Sequence, residues 1–460
     1  MRVLLISTYE LGRQPFGLAS PAAWLRRAGA RVECADLSRQ ALSAEQIAAA
    51  DFIAFYVPMH TAARLAVAAL PRVRGINPRA HLCFYGLYAP VNENYFRSLG
   101  AQTILGGEFE AGLVSAFERV RASRHSPNGH AAAVQDEPAI SLGRQQFVVP
   151  ERAGLPSLSS YAHLKMPGEK HRTVGYTEAS RGCKHLCRHC PVVPVYNGHF
   201  RVVQPEVVLE DIRRQVAGGA QHITFGDPDF FNGPRHAIEI VTAIHREHPR
   251  LSYDVTIKIE HLLKHSALLP TLRDTGCLFV TSAVESVDDA ILTRLDKGHT
   301  RADFIQVVRN FRAIGLALSP TFVAFTPWTT LEGYEALLAQ LAELDLAENV
   351  APIQLAIRLL IPAGSRLLEL TEVRAMAGPF DPVQMVYPWA NADPLVDRLC
   401  GEIQKLIQQG EKKGASRHAI FNSVWRMAHE AAGDAAPGLP DFPLTVSRAA
   451  IPYLNEPWYC

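Results

Sequence analysis

The sequence predicts an α/β protein: an N-terminal doubly wound, Rossmann-like parallel sheet, then a partial, TIM-like (β/α)6 barrel, then a helical C-terminal region. Three observations lead there. Short apolar runs alternate with helical stretches over residues 1–125. Six further strand-plus-helix repeats occupy roughly 170 to 370. Beyond 394 the apolar residues recur at helical spacing. Parallel strands are buried on both faces and so read as near-continuous apolar runs. Strands alternating with helices imply crossover connections and a parallel sheet.

In the first region Val3-Leu-Leu-Ile6 reads as a buried strand, and a helix through 22–28 follows. Arg31–Asp36, Phe52–Val57, His81–Tyr85 and Thr103–Leu105 are the next strands. Ligands of doubly wound sheets bind beyond the carboxyl ends of the strands. Those ends lie near Thr8–Gly12, Pro58–Thr61, Gly86–Pro90 and Gly106–Glu110. From about 121 to 164 the chain turns polar and rich in Pro, Gly and Ser, which marks a linker. The expected organisation is a Rossmann-like domain at 1–125, a linker at 126–165, a barrel at 166–375, and a helical region with a tail at 376–460.

The six barrel strands are expected at Thr173–Glu178, His222–Gly226, Tyr253–Ile259, Leu278–Val284, Leu316–Phe325 and Ile353–Leu360. Chemistry in such barrels sits at the C-terminal strand ends. Two helices follow, Pro394–Lys412 and Arg417–Ala432, the first with Leu395, Leu399, Ile403 and Leu406 at helical spacing, which reads as core packing.

The 460 residues suit two or three domains. A hydrophobic content of 48% and a charged content of 20% fit a soluble globular enzyme. The net charge of +1 makes no electrostatic case for nucleic acid or a membrane surface. No apolar stretch approaches a membrane span, and the short apolar start reads as a strand rather than a signal peptide. A cytoplasmic location is expected.

Eight cysteines are present. Cys34, Cys83, Cys277 and Cys400 stand singly in apolar surroundings and read as buried thiols. Cys183, Cys187 and Cys190 form a C-x3-C-x2-C run among Lys184, His185, Arg188 and His189, a setting that favours thiolate. Iron–sulfur clusters are held by cysteine thiolates, usually four. Three from one loop leave one iron open to bind a small molecule. Zinc is the competing reading of the same spacing.

The spacing resembles the signature of the radical S-adenosylmethionine (SAM) superfamily. The chain around it resembles the branch with an N-terminal cobalamin-binding-like domain, in which Gly107-Glu-Phe-Glu110 is similar to a Gly-Glu-x-Glu element. The resemblance implies a [4Fe–4S] cluster on Cys183, Cys187 and Cys190 and reductive cleavage of SAM. The Asp-x-His-x-x-Gly motif that supplies a cobalt ligand in many cobalamin proteins is absent. Many radical SAM relatives lack it and still bind cobalamin without a histidine ligand, and others keep the fold with no cofactor, so cobalamin stays an open alternative.

The resemblance also implies roles at the other strand ends. Gly226 and Asp227 match a turn that binds the SAM amino group, with Asp229 beside them; an ordinary Asp-Pro turn is the structural alternative. Glu285 and Ser286, in Ala283-Val-Glu-Ser286 followed by Leu295-Asp-Lys-Gly298, resemble a Gly-x-Glu-Ser … Lys-Gly stretch, and Glu285 is the expected contact to the ribose or ammonium of SAM. Lys258 is a candidate partner for the SAM carboxylate, or an ion-paired lysine. His189 stands where an aromatic residue near the adenine is usual. Arg358 lies in an apolar strand and needs a partner, either a SAM or substrate carboxylate or a structural aspartate. Gly364 resembles a Pro-x-Gly turn after the last strand. Tyr196, His199 and Arg201 are further candidates for the pocket, and Thr321 and Thr326 alternate with apolar residues on the fifth strand.

The ending Pro452-Tyr-Leu-Asn-Glu-Pro-Trp-Tyr-Cys460 resembles the start of the tail for which one radical SAM family is named, Cys-Sec-Ala-Glu-Pro or Cys-Cys-Ala-Glu-Pro. This makes the chain a selenoprotein candidate, with an expected continuation past Cys460. The functional expectation is a radical SAM enzyme acting on a small-molecule or peptide substrate, with a reductase as electron donor and no nucleic acid or membrane partner. If cobalamin binds, methyl transfer is implied; if not, other radical chemistry such as aminocarboxypropyl transfer. The alternative is a non-catalytic iron–sulfur or zinc protein with a redox or binding role.

Overall fold

A computed structural model describes residues 1–125, 137–166, 171–433, 438 and 453–454. The polar run at 126–136 and the terminal Cys460 lie outside the described residues.

The N-terminal strands are β1 (Arg2–Ser7), β2 (Arg31–Asp36), β3 (Phe52–Tyr56), β4 (His81–Tyr85), β5 (Thr103–Gly107) and β6 (Ile140–Ser141). They form one parallel sheet in the order β2-β1-β3-β4-β5-β6. Leu4, Ile6, Ile53 and Phe55 pack one face, while Val3, Leu5, Phe52 and Ala54 pack the other. Two covered faces explain why these strands read as unbroken apolar runs. The order reverses between β1 and β3, which makes a crevice at their carboxyl ends. Strand β6 lies inside the stretch read as linker and adds a sixth strand to the sheet. Gly106 and Gly107 supply its partners.

The second sheet contains β7 (His163–Lys165), β8 (Arg172–Thr177), β11 (His222–Phe225), β12 (Ser252–Thr256), β13 (Cys277–Glu285), β14 (Ala317–Phe322) and β15 (Tyr453–Leu454). A small hairpin of β9 (Ser180–Gly182) and β10 (Phe200–Val202) stands apart. The order is β14-β13-β12-β11-β8-β7-β15, with the five strands from β8 to β14 parallel and β7 and β15 antiparallel at one edge. The sheet curls with helices on its outside, as a partial barrel does.

The expected sixth barrel strand, Ile353–Leu360, is reduced to a single parallel bridge between Phe325 and Arg358. Pro352 opens a 3-10 turn over Pro352–Leu355 instead. The Phe322 N–H, which a sixth strand would have engaged, donates to the Gln354 side chain at 3.0 Å. Proline lacks the donor a strand needs and fits a first helical position.

The C-terminal helices span Pro394–Lys412 and Arg417–Ala432. They pack on each other, and the second also packs on the helix Leu331–Glu343. Val396, Leu399, Ile403 and Ile407 of the first face the barrel core, whereas Leu395 is 43% exposed. Cys34, Cys83, Cys277 and Cys400 are buried free thiols. Among the described residues no helix is long and apolar enough to cross a membrane.

Candidate functional site

The cysteine loop leaves β9 at Gly182, where φ is +74° and a Cβ would lie 2.3 Å from the Tyr196 ring and 2.5 Å from the His199 carbonyl. Only glycine permits that turn with the β9–β10 hairpin closed behind it. The loop is then pinned from several elements. Lys184 N donates to Asn232 Oδ1 at 3.1 Å, Arg188 N to the Leu295 carbonyl at 2.9 Å, and the Arg188 guanidinium to the Arg294 carbonyl at 2.9 Å. Ser365 Oγ donates to the Arg188 carbonyl.

Within the loop Cys187 is buried, and Cys183 and Cys190 are half-buried. Burial raises the Cys183 pKa and pushes Cys190 up to about 12, and the neighbouring thiols add to both rises. Thiols that oppose one another's ionisation suit a bound cation, which reverses that sign. The donor chemistry fits an iron–sulfur group.

The end of β13 faces this loop. Glu285 has φ +69°, a left-handed backbone at a register shift between β13 and β14. Strained positions of this kind concentrate at functional sites. Its Oε1 lies 3.0 Å from His189 Nε2 and 3.3 Å from Lys297 Nζ. Burial alone would raise the Glu285 pKa, but Lys297 and His189 hold it down, at about 2. Burial would likewise lower Lys297, yet Glu285, Cys187 and Cys190 raise it. A buried lysine therefore bonds the carboxylate and feels the charge of two thiols. The sequence reading quoted Lys297 within a motif without giving it a role. Ser286 receives the Asp288 N–H at 3.1 Å and serves the following helix.

At the ends of β11 and β12, Asp229 Oδ2 lies 2.7 Å from His261 Nδ1 and 3.5 Å from His185 Nε2. Lys258 Nζ lies 3.0 Å from His185 Nδ1 and donates to Glu260 at 3.2 Å. Lys258 is thus ion-paired and still next to the cysteine loop. Asp229 also caps the short turn Phe230–Asn232 through the Phe231 N–H.

Asp227 turns inward. It accepts from Ala179 N at 2.9 Å and Ser180 Oγ at 2.5 Å, which holds the turn from β8 into β9. Burial raises its pKa to about 7. Gly226 admits the Tyr176 hydroxyl, which would sit 1.8 Å from a Cβ. Both residues act here on backbone geometry.

Arg358 meets the structural alternative. It donates to Asp397 and to the Trp389 carbonyl and stacks 3.5 Å from the Trp389 ring centre. The structural aspartate already satisfies the charge. Arg201 donates to the Leu142 carbonyl, His199 stays near its own turn, and Thr326 pairs with Thr329. Gly364 packs against Val91 and Pro194.

A second cluster lies between the two sheets. Arg181 makes a two-pronged contact to Glu110 at 2.7 and 2.8 Å, reaches Glu178 at 2.7 Å, and lies 3.5 Å from Glu108. Tyr196 OH donates to Glu108 at 3.1 Å. Burial raises Glu108 to about 7 and also raises Glu178, whereas Arg181 overcomes burial at Glu110 and lowers it. The sequence reading noted Glu108 and Glu110 but missed Arg181 as their partner.

This cluster borders a cavity of about 170 Å³ between the switch-point crevice and the ends of β8 and β11. Drug-sized pockets run from roughly 300 to 1,000 Å³, so the enclosed part of this cavity is smaller than a cobalamin. The glycines on its wall offer no open cradle. A Cβ on Gly86 would meet the Val57 carbonyl at 3.0 Å, and one on Gly107 the Ser141 carbonyl at 2.2 Å.

Comparison with known proteins agrees with this architecture. Residues 177–332 match the family described as the Radical SAM superfamily. A tRNA-2-methylthio-N(6)-dimethylallyladenosine synthase of Desulfosudis oleivorans is 25% identical over 207 residues, 42% of each chain. A hopanoid C-3 methylase of Methylococcus capsulatus is 25% identical over 174 residues, 38% of this chain and 33% of that one. The chain thus spans less than half the length of these curated relatives. Among solved structures, the cobalamin-dependent SAM radical enzyme OxsB with aqua-cobalamin has a TM-score of 0.64 at 16% identity, over 89% of this chain and 67% of that one. The radical SAM methyltransferase TsrM of Kitasatospora setae, with tryptophan and a SAM analogue, has 0.60 at 16% identity, over 82% and 77%. These two share the fold. Residues 177–332 thus carry a radical SAM domain.

Proposed function

We propose that Cys183, Cys187 and Cys190 hold a [4Fe–4S] cluster and that SAM binds beside it at the mouth of the barrel. The observation that carries this reading is the loop of three thiols facing the buried Glu285–Lys297–His189 cluster at the C-terminal strand ends. The cluster with SAM supplies reductive cleavage of a carbon–sulfur bond, with methionine and 5′-deoxyadenosine as products to detect.

The chain's own residues position and exclude water. Glu285 is held as a carboxylate and offers an acceptor to the ribose hydroxyls or ammonium of SAM. His189 is oriented by Glu285 and offers its ring to the adenine. Lys297 offsets the negative charge of the thiolates. Lys258, tethered by Glu260, is placed to meet the SAM carboxylate. Gly226 and Asp227 shape the adjoining turn, and Ser286 secures the helix after Glu285. Arg358 is left out, being occupied by Asp397. The substrate is a small molecule or peptide, a reductase supplies the electron, and the site of action is the cytoplasm.

The test is anaerobic reconstitution with iron and sulfide, then dithionite and SAM, with detection of 5′-deoxyadenosine by mass. Wild type yields it, and the Cys183→Ala, Cys187→Ala, Cys190→Ala variant yields none. A loaded cluster that releases no SAM fragment overturns the proposal. One observation favours a second reading: ligand atoms of Cys183, His185 and Asp229 lie within 4.8 Å of one another, a donor set suited to zinc. Zinc retained in place of iron, without SAM affinity, supports that binding-protein reading.

A further inference from the structure

We infer that the cavity between the two sheets binds an α-amino acid, with Glu10 as partner for its ammonium group and Arg13 for its carboxylate. Glu10 follows β1 at the switch-point crevice and is 8% exposed. It lines the cavity, and its Oε2 is buried without a hydrogen-bond partner. Arg13 lines the same cavity, and its Nε is likewise buried and unpartnered. A buried carboxyl oxygen and a buried guanidinium Nε on a half-buried arginine, each short of a partner, are costly unless a ligand completes them.

The backbone keeps the two side by side. Leu11 and Gly12 are successive left-handed residues at φ +50° and +70°, and Arg13 N donates to the Glu10 carbonyl at 2.9 Å. That turn holds both side chains at one wall. Arg13 also stacks 4.9 Å from the Tyr176 ring centre, so its planar group is fixed in orientation. Arg181 cannot play the same part, because Glu110 and Glu178 already occupy it. Burial, reinforced by Glu178, raises Glu10 well above the usual carboxylate range, and a ligand ammonium beside it offsets that rise.

The remaining wall fits the rest of such a ligand. Tyr56, Tyr176 and Phe109 present ring surface for an apolar or aromatic side chain, and the rings favour a nearby cation. The volume of about 170 Å³ is of amino-acid size. That this ligand is the substrate rests on the SAM-cleaving reading above; that it binds does not.

The experiment is calorimetry on the anaerobically reconstituted protein with SAM saturating, so that binding of the probe at the SAM site does not register. The probes are L-phenylalanine, 2-phenylethylamine, 3-phenylpropionate and hydroxocobalamin. L-Phenylalanine is expected to bind at least tenfold tighter than the amine or the acid alone. Glu10→Gln is expected to weaken L-phenylalanine and the amine about tenfold and spare the acid; Arg13→Gln is expected to weaken L-phenylalanine and the acid and spare the amine. The wild-type series needs no variant and stands if either variant fails to fold. Equal binding of the three small probes, no binding of L-phenylalanine, its displacement by SAM, or stoichiometric retention of hydroxocobalamin overturns the inference. 5′-Deoxyadenosine is measured on the same sample; its absence with L-phenylalanine binding intact sinks the SAM reading alone.

Discussion

The cysteine-loop mouth and the cavity between the sheets both bury charge, and they balance it in opposite ways. At the mouth, Glu285 is met by Lys297 and His189 and is held at about 2. Between the sheets, Arg181 faces Glu108, Glu110 and Glu178, and it wins outright only at Glu110. The first is a neutralised carboxylate beside three thiols. The second carries more acid than base, and burial leaves Glu108 near 7 and Glu10 far above its usual range. The contrast teaches that a buried carboxyl is informative through its partners rather than its burial.

The sharpest way to break the comparison is to remove Arg181. Arg181→Met strands up to three buried carboxyls, and loss of one partner of a buried pair costs about 3–5 kcal/mol. Thermal unfolding is expected to show a large fall in Tm or an insoluble chain. An unchanged Tm would mean that the carboxyls are solvated.

The next effect is on pH dependence. Glu108 has its folded pKa raised from an ordinary 4.5 to about 7, so its contribution is fully present below the unfolded value and is lost as pH rises through about 7. Glu285 has the opposite sign: its contribution is present above 4.5 and is lost as pH falls toward 2. A shift of this size is worth about 3 kcal/mol. Denaturant titrations between pH 5 and 8 are expected to show stability declining with pH in wild type, with a flatter slope in Glu108→Gln. Identical slopes would remove Glu108 from the account.

A smaller effect tests the mouth. Glu285→Gln leaves Lys297 without its carboxylate, and SAM affinity measured by equilibrium dialysis is expected to fall at least tenfold, about 1.4 kcal/mol. Unaltered affinity would make Glu285 purely structural. Smallest is Arg358→Lys, which gives up the planar stack on Trp389 and part of the Asp397 contact at about 1 kcal/mol. SAM affinity is expected to stay the same, and a fall would return Arg358 to the site.

What the sequence made legible follows from range. Strands such as Val3–Ile6 and Phe52–Tyr56 announce themselves because both faces are covered, and the helices at Pro394–Lys412 and Arg417–Ala432 because their apolar period is local. The cysteine run is local too. The pairings of the site are not: His189 meets Glu285 across 96 positions, and Arg181 meets Glu110 across 71. An arginine in an apolar run needs a partner, but Asp397, 39 residues on, carries no mark of that role in the sequence. The sixth strand is apolar enough to suggest itself, but Pro352 lacks the N–H a strand needs and the Gln354 side chain takes the Phe322 donor. Glu10 passed unnoticed because an unpartnered side chain is defined by what surrounds it.

The pins on the cysteine loop bear on how the protein is assembled. Contacts from Asn232, Arg294, Leu295 and Ser365 hold the loop through backbone groups that need no metal. In a small zinc module the metal supplies the folding free energy, and the apo chain is unfolded. Here the loop is held by contacts from the scaffold itself, which predicts that the Cys183→Ala, Cys187→Ala, Cys190→Ala variant stays folded by circular dichroism. On the proposed reading, a cluster lost to oxygen is rebuilt in place without the chain having to fold a second time.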